Sequence, residues 1–82
     1  MKPVERELAF KFDEESWVEV RNRDGKVIFS KLNRPGTEER VRGMPPFKLV
    51  IGNARSVQLT YDQQPVELET HTGVTVARLT LE

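Results

Sequence analysis

Residues 16–28, SWVEVRNRDGKVI, constrain this chain more than any other stretch. Val18 and Val20 alternate with Trp17, Glu19, Arg21 and Arg23, which is a half-buried strand pattern. The run ends at Asp24-Gly25, and a second apolar-polar run begins at Lys26. Asp-Gly between two such runs signals a β-hairpin, because a type I′ turn needs positive φ at both central residues. A chain that opens this way must bury one face of a sheet.

The same alternation recurs to the C-terminus. Leu8, Phe10 and Phe12 alternate with Ala9 and Lys11. After the hairpin, Asn33-Arg34-Pro35-Gly36 is a turn, and 37–42 is a charged strand suited to a sheet edge. Gly43-Met44-Pro45-Pro46 breaks the chain. Phe47, Leu49 and Ile51 share a face, and Gly52-Asn53-Ala54 interrupts that strand as a turn or bulge. Val57, Leu59 and Tyr61 alternate with Ser56, Gln58 and Thr60. Residues 62–65 then turn into 66–69, with Val66 and Leu68 inward. His71-Thr72-Gly73 is a loop, and 74–81 is the last strand.

Turn signals recur roughly every 8–12 residues, and no helical periodicity interrupts them. The expectation is an all-β fold: a small antiparallel β-sandwich, Ig-like or Greek-key, of about seven or eight short strands. A small β-barrel is the alternative. Residues 1–7 read as a linker-like flexible run, and 8–82 as one β domain. Leu81-Glu82 reads either as native strand or as an expression-vector remnant.

At 82 residues the chain builds one thin core, burying about 60–65% of its unfolded surface. Lys+Arg and Asp+Glu are both 13, so the formal charge is zero. That balance argues against a nucleic-acid binder, which needs a basic excess. No segment approaches the roughly 18 apolar residues of a membrane span. The start, MKPVEREL, lacks the apolar core of a signal peptide. There is no Cys, which excludes disulfides and thiolate metal sites.

Catalytic chemistry finds no footing. One His and no Cys cannot build a zinc tetrad or a Cys–His pair. The glycines fall singly at turns, with no phosphate-cradling loop and no GxSxG. Asp13, Glu14 and Glu15 are consecutive acids in a turn, which reads as solvated surface. His71 reads as a solvated loop residue. The expectation is therefore no enzyme, no metal and no cofactor.

Trp17 is the distinctive side chain. Strict alternation places it among charged neighbours on the outer face, yet a Trp at a strand start can cap the open end of a core. The cap is the preferred reading, and an exposed contact residue is the other, since Trp is enriched in binding hot spots. Arg21, Arg23, Arg40 and Arg42 would form a basic stripe if their strands lay together. Interleaving by Glu19, Glu38 and Glu39 favours cross-strand ion pairs instead.

The order of these motifs resembles one family. SWVEVRNRDGKV is followed by Pro35-Gly36, Gly-x-x-Pro-Phe at 43–47 and LVIGNA at 49–54. VQLTYDQQPVEL at 57–68 and GVTVARLTL at 73–81 complete the set. Together they resemble the C-terminal domain of the RodZ family of bacterial cell-shape proteins, over nearly the whole chain. The chain departs from the family at Asp62-Gln63-Gln64, where a tight Asn-Gly-type turn is usual.

The resemblance implies a non-catalytic interaction domain on the outer, periplasmic side of the cytoplasmic membrane. It implies a single-pass scaffold whose cytoplasmic helix-turn-helix domain contacts the actin-like protein MreB. Its partners would be proteins of cell-wall elongation, with no nucleic acid bound through this domain. The residues expected to contact a partner are Trp17, Arg21, Arg23 and Arg40. A peptidoglycan-binding module, using Trp17 to stack on a sugar ring, is the alternative.

Overall fold

Alternating side chains can hide their apolar half only by placing two sheets face to face. That is the arrangement in the computed structural model, which describes residues 5–68 and 76–82. Eight strands are described: β1 (Arg6–Phe12), β2 (Ser16–Arg21), β3 (Val27–Asn33), β4 (Glu38–Gly43), β5 (Phe47–Ile51), β6 (Val57–Tyr61), β7 (Gln64–Val66) and β8 (Ala77–Leu81). A 3-10 turn, Ala54–Ser56, leads into β6.

The first sheet has the order β4-β1-β6-β7 and the second β3-β2-β5-β8, every pairing antiparallel. The two sheets stay separate, so the fold is the expected sandwich and not a barrel. β1 begins at Arg6, two residues before the alternation becomes visible in sequence.

The core is the inward half of each alternating run. Leu8, Phe10 and Phe12 from β1 meet Val18 and Val20 from β2 and Phe47, Leu49 and Ile51 from β5. Val41, Ala54, Val57, Leu59 and Ala77 fill the remainder. Phe10 stacks against both Phe12 and Phe29, with centroids 6.0 and 6.2 Å apart. Phe47 meets the Tyr61 ring edge-on at 5.9 Å, a favoured aromatic geometry. Burial, the largest cause, holds the Tyr61 phenol above its ordinary pKa; Arg6 opposes this and Asp62 adds to it.

Two buried polar residues tie the sheet end where Trp17 sits. Asn33 closes β3 instead of opening the following turn, and its amide donates to the carbonyls of Ser16 and Lys31 at 3.2 and 3.1 Å. The Ser16 hydroxyl donates to the Gly52 carbonyl. Gly52 N–H in turn donates to the Trp17 carbonyl at 2.7 Å.

The turns correct the sequence reading in one respect. Asp24 keeps negative φ, and only Gly25, at +77°, is left-handed. Gly25 N–H donates to Asn22 and Asn22 N–H to Lys26, so the tip is a three-residue loop with a glycine bulge. The Asn22 side chain accepts from the N–H groups of Asp24 and Lys26, which stabilises this wider loop over the expected I′ turn. The I′ geometry lies elsewhere, at Asp62-Gln63, with φ of 52° and 69° joining β6 to β7. Asp-Gln thus adopts the conformation that Asn-Gly would adopt without strain. The strand after it is Gln64–Val66 rather than 66–69, with Pro65 tolerated because β7 is an edge. Pro35-Gly36 forms the expected turn, Gly36 taking φ +77°.

Gly43 has a packing reason to lack a side chain. A Cβ there would lie 2.8 Å from Ile28 Cδ1 and 3.1 Å from Phe47 Cε1. The loop reading of His71, and the first residues of the expected last strand, fall outside the described residues.

Candidate functional site

Because both sheets alternate, each also presents an outer face, and the two faces differ in chemistry. Outward on the first sheet are Glu7, Ala9 and Lys11 of β1, Glu38, Arg40 and Arg42 of β4, and Gln58 and Thr60 of β6. Each of the three cations has a carboxylate partner across strands, Glu7 serving two of them. Glu7 contacts Arg42 at 3.3 Å and Arg40 at 3.9 Å, and Lys11 lies 3.6 Å from Glu38.

The outer face of the second sheet is apolar at one end and basic at the other. Trp17 on β2 pairs directly with Leu32 on β3. Both point out, with 46% and 51% of their surface exposed. The next level along the sheet holds Ser30, Glu19, Val50 and Arg78, and the one beyond holds Val27, Arg21, Lys48 and Thr80. Around Val50 these side chains line a shallow groove of about 390 Å³. Arg21 reaches Glu19 at 3.8 Å and donates to the Gly25 carbonyl at 3.2 Å. Lys48 and Arg78 make no ion pair among the described residues. The face therefore carries three cations against one carboxylate, in a chain whose formal charge is zero.

The expected contact residues are thus divided. Trp17 and Arg21 share this face, and Trp17 lies outside rather than capping the core as preferred from sequence. The core end that a cap would cover is already closed by Ser16, Asn33 and the chain crossing at Gly52. Arg23 sits in the hairpin loop, exposed, its N–H donating to the Met44 carbonyl at 2.9 Å. Arg40 belongs to the other sheet, beside Glu7. The basic stripe of Arg21, Arg23, Arg40 and Arg42 does not form, because β2 and β4 lie in different sheets. Ion pairs do form, with Glu7 and Glu19 as the arginines' partners.

Leu32, Lys48, Val50 and Arg78 were not among the expected contacts. Lys48 and Val50 alternate with Phe47, Leu49 and Ile51, so their outward direction is legible in sequence. Which strands flank β5 is not.

The acidic run also has a role in the structure. Glu14 accepts hydrogen bonds from Ser56 at 2.8 Å and Asn53 at 3.4 Å. These bonds, Ser56 first, hold its carboxyl below the ordinary glutamate pKa. Asn53, at φ 52°, also donates to the Glu15 carbonyl at 2.9 Å. This is a loop clasp, fastening the β1–β2 turn to the 3-10 turn. Among the described residues no three His, Cys, Asp or Glu side chains group to hold a metal ion.

The family model of the RodZ C-terminal domain matches residues 9–80, from β1 to the penultimate residue of β8. The chain belongs to that family. No solved structure matches it. A RodZ C-terminal domain is part of a cell-shape protein, in a structural family not known for enzymatic activity. The family motifs acquire concrete roles here: Gly43 makes room for Ile28 and Phe47, and Gly52-Asn53 closes the sheet end beside Trp17.

Proposed function

We infer that this domain is a non-catalytic docking module, carried on the outer side of the cytoplasmic membrane by a single-pass cell-shape protein. It couples the internal MreB cytoskeleton to proteins that build the wall during elongation. Family membership supports the cell-shape role. The observation that carries the docking reading is Trp17 paired with Leu32 on an open sheet face. Burying apolar surface there yields about 25 cal/mol per Å², and Trp is a common interface anchor.

In the full-length protein, Trp17→Ala lowers recovery of elongation proteins in a pull-down and impairs rod shape. Circular dichroism of the variant stays native, because an outward side chain supports little of the core. Unchanged recovery and shape would end this reading.

The exposed indole also favours a second reading, a peptidoglycan-binding module. Trp17 would stack on a sugar ring, with Glu19 and Arg21 nearby to accept and donate hydrogen bonds. Tyr61 offers no second platform, since its ring packs edge-on against Phe47. Titrating soluble muropeptides against Trp17 emission separates the two.

A further inference from the structure

The charge of the Trp17 face says more than its exposure does. Building on the docking reading, we propose that this face binds an extended acidic segment of a partner polypeptide. An apolar side chain of that segment seats on Trp17 and Leu32, and its carboxylates seat on Arg21, Lys48 and Arg78.

The register sets the spacing. Arg21 lies four residues beyond Trp17 on β2, and Lys48 is directly opposite Arg21 on β5. At about 3.3 Å per residue the apolar and basic levels are roughly 13 Å apart. An extended partner bridges that span when a carboxylate side chain lies about four residues beyond its apolar one. Arg78 lies opposite Val50 on β8, one level nearer Trp17, so a second carboxylate about two residues before the first meets it across the groove.

The opposite sheet face does not offer this chemistry. Its three cations, Lys11, Arg40 and Arg42, face Glu38 and Glu7, and no large apolar side chain is exposed among its described residues. A partner there must break ion pairs without covering apolar area. On the Trp17 face the cations at Lys48 and Arg78 add attraction, and Val50 floors a groove that a chain can follow. Complementary charge raises association rates and fixes register more than it adds affinity.

A lipid surface fits this face poorly. Glu19 stands in the middle of it, and a layer of anionic headgroups would meet that carboxylate with like charge. A partner with discrete carboxylates places them on the three cations and leaves Glu19 to a backbone N–H. A neutral glycan would leave Lys48 and Arg78 without a counter-charge.

The test is an NMR titration of the domain with a synthetic peptide carrying one leucine and acids about two and about four residues further on, all on one side of the extended chain. Controls are the same peptide with lysines for both acids (the Lys-Lys peptide), anionic phosphatidylglycerol vesicles, and soluble muropeptides. The expected result is shift changes at the Trp17 indole and at the amides of β2, β5 and β8, weakening as salt rises. The double variant Lys48→Glu, Arg78→Glu loses at least about tenfold in affinity, because it sets like charges against the partner's carboxylates. Arg40→Glu on the other sheet binds as the wild type does. Binding on the β1–β4 face, equal binding of the Lys-Lys peptide, or engagement of this face by vesicles or muropeptides but not by the acidic peptide would overturn the proposal. Such a result, with in-cell recovery of elongation proteins still dependent on Trp17, would leave docking intact and remove only the acidic-segment assignment.

Discussion

Asn33 illustrates how much a single buried amide can hold. Its side chain donates to two carbonyls at the sheet end, next to the Ser16 hydroxyl bond to Gly52. Asn33→Asp removes both donors and places a carboxylate among carbonyl oxygens. The expected loss is about 2–3 kcal/mol, read as a lower urea midpoint with unchanged slope. Glu14 makes a pH-dependent contribution. Its folded pKa lies below the ordinary value, so its clasp stabilises the fold above that value. The contribution fades as pH falls below about 4.5 through the depressed folded value. Glu14→Gln is therefore less stable than the wild type at neutral pH, and urea titrations of the two converge in acid. Neither role was legible in sequence. Asn33 stands beside Arg34-Pro35-Gly36 and shares their turn chemistry, while Glu14 is one of three consecutive acids. Only the fold brings Ser16 and Ser56 to them. Trp17 was legible by parity, and the pull of a large aromatic toward the core outweighed a pattern that was right.

At the scale of elements, alternation carried the most information. The parity of Leu8, Phe10 and Phe12, of Val18 and Val20, and of Phe47, Leu49 and Ile51 is the parity of the core. Turn type was less legible, because Asp-Gly serves both a two-residue I′ loop and a three-residue loop with a glycine bulge. Asn22 decides between them by capping the longer one. The I′ turn at Asp62-Gln63 holds Gln63 at φ 69°, a conformation costly for a residue with a Cβ. Gln63→Gly is expected to stabilise the domain by about 0.5–1 kcal/mol, raising its thermal midpoint. Edges are managed by inward charge. Lys31 and Glu39 sit on the core side of β3 and β4 and meet at 2.8 Å across the gap between the sheets. An exposed pair of this kind adds little stability, about 0–1 kcal/mol. An inward lysine on an edge strand instead discourages pairing with another chain. Lys31→Ile is expected to leave the thermal midpoint nearly unchanged and to shift the domain toward oligomers in sedimentation velocity. A variant as monomeric as the wild type would remove that role.

For the whole molecule, the sandwich divides its surface into two faces of different chemistry. One pairs each of its cations with a carboxylate across strands; the other leaves Trp17, Leu32 and the unpaired cations Lys48 and Arg78 open. The division was not readable from sequence, because the four arginines look alike until β2 and β4 are assigned to separate sheets. Family membership fixes the domain as part of a cell-shape protein. The Trp17 face is where we propose that such a domain meets a partner. The most direct test is photo-cross-linking in living cells, with a photoreactive residue placed in the full-length protein at Trp17 or Leu32, and separately at Lys11 or Gln58. Protein adducts from positions 17 and 32, with none from 11 and 58, are the predicted result. Adducts from 11 and 58 alone, or none from any position, would contradict the assignment of the Trp17 face as the docking surface.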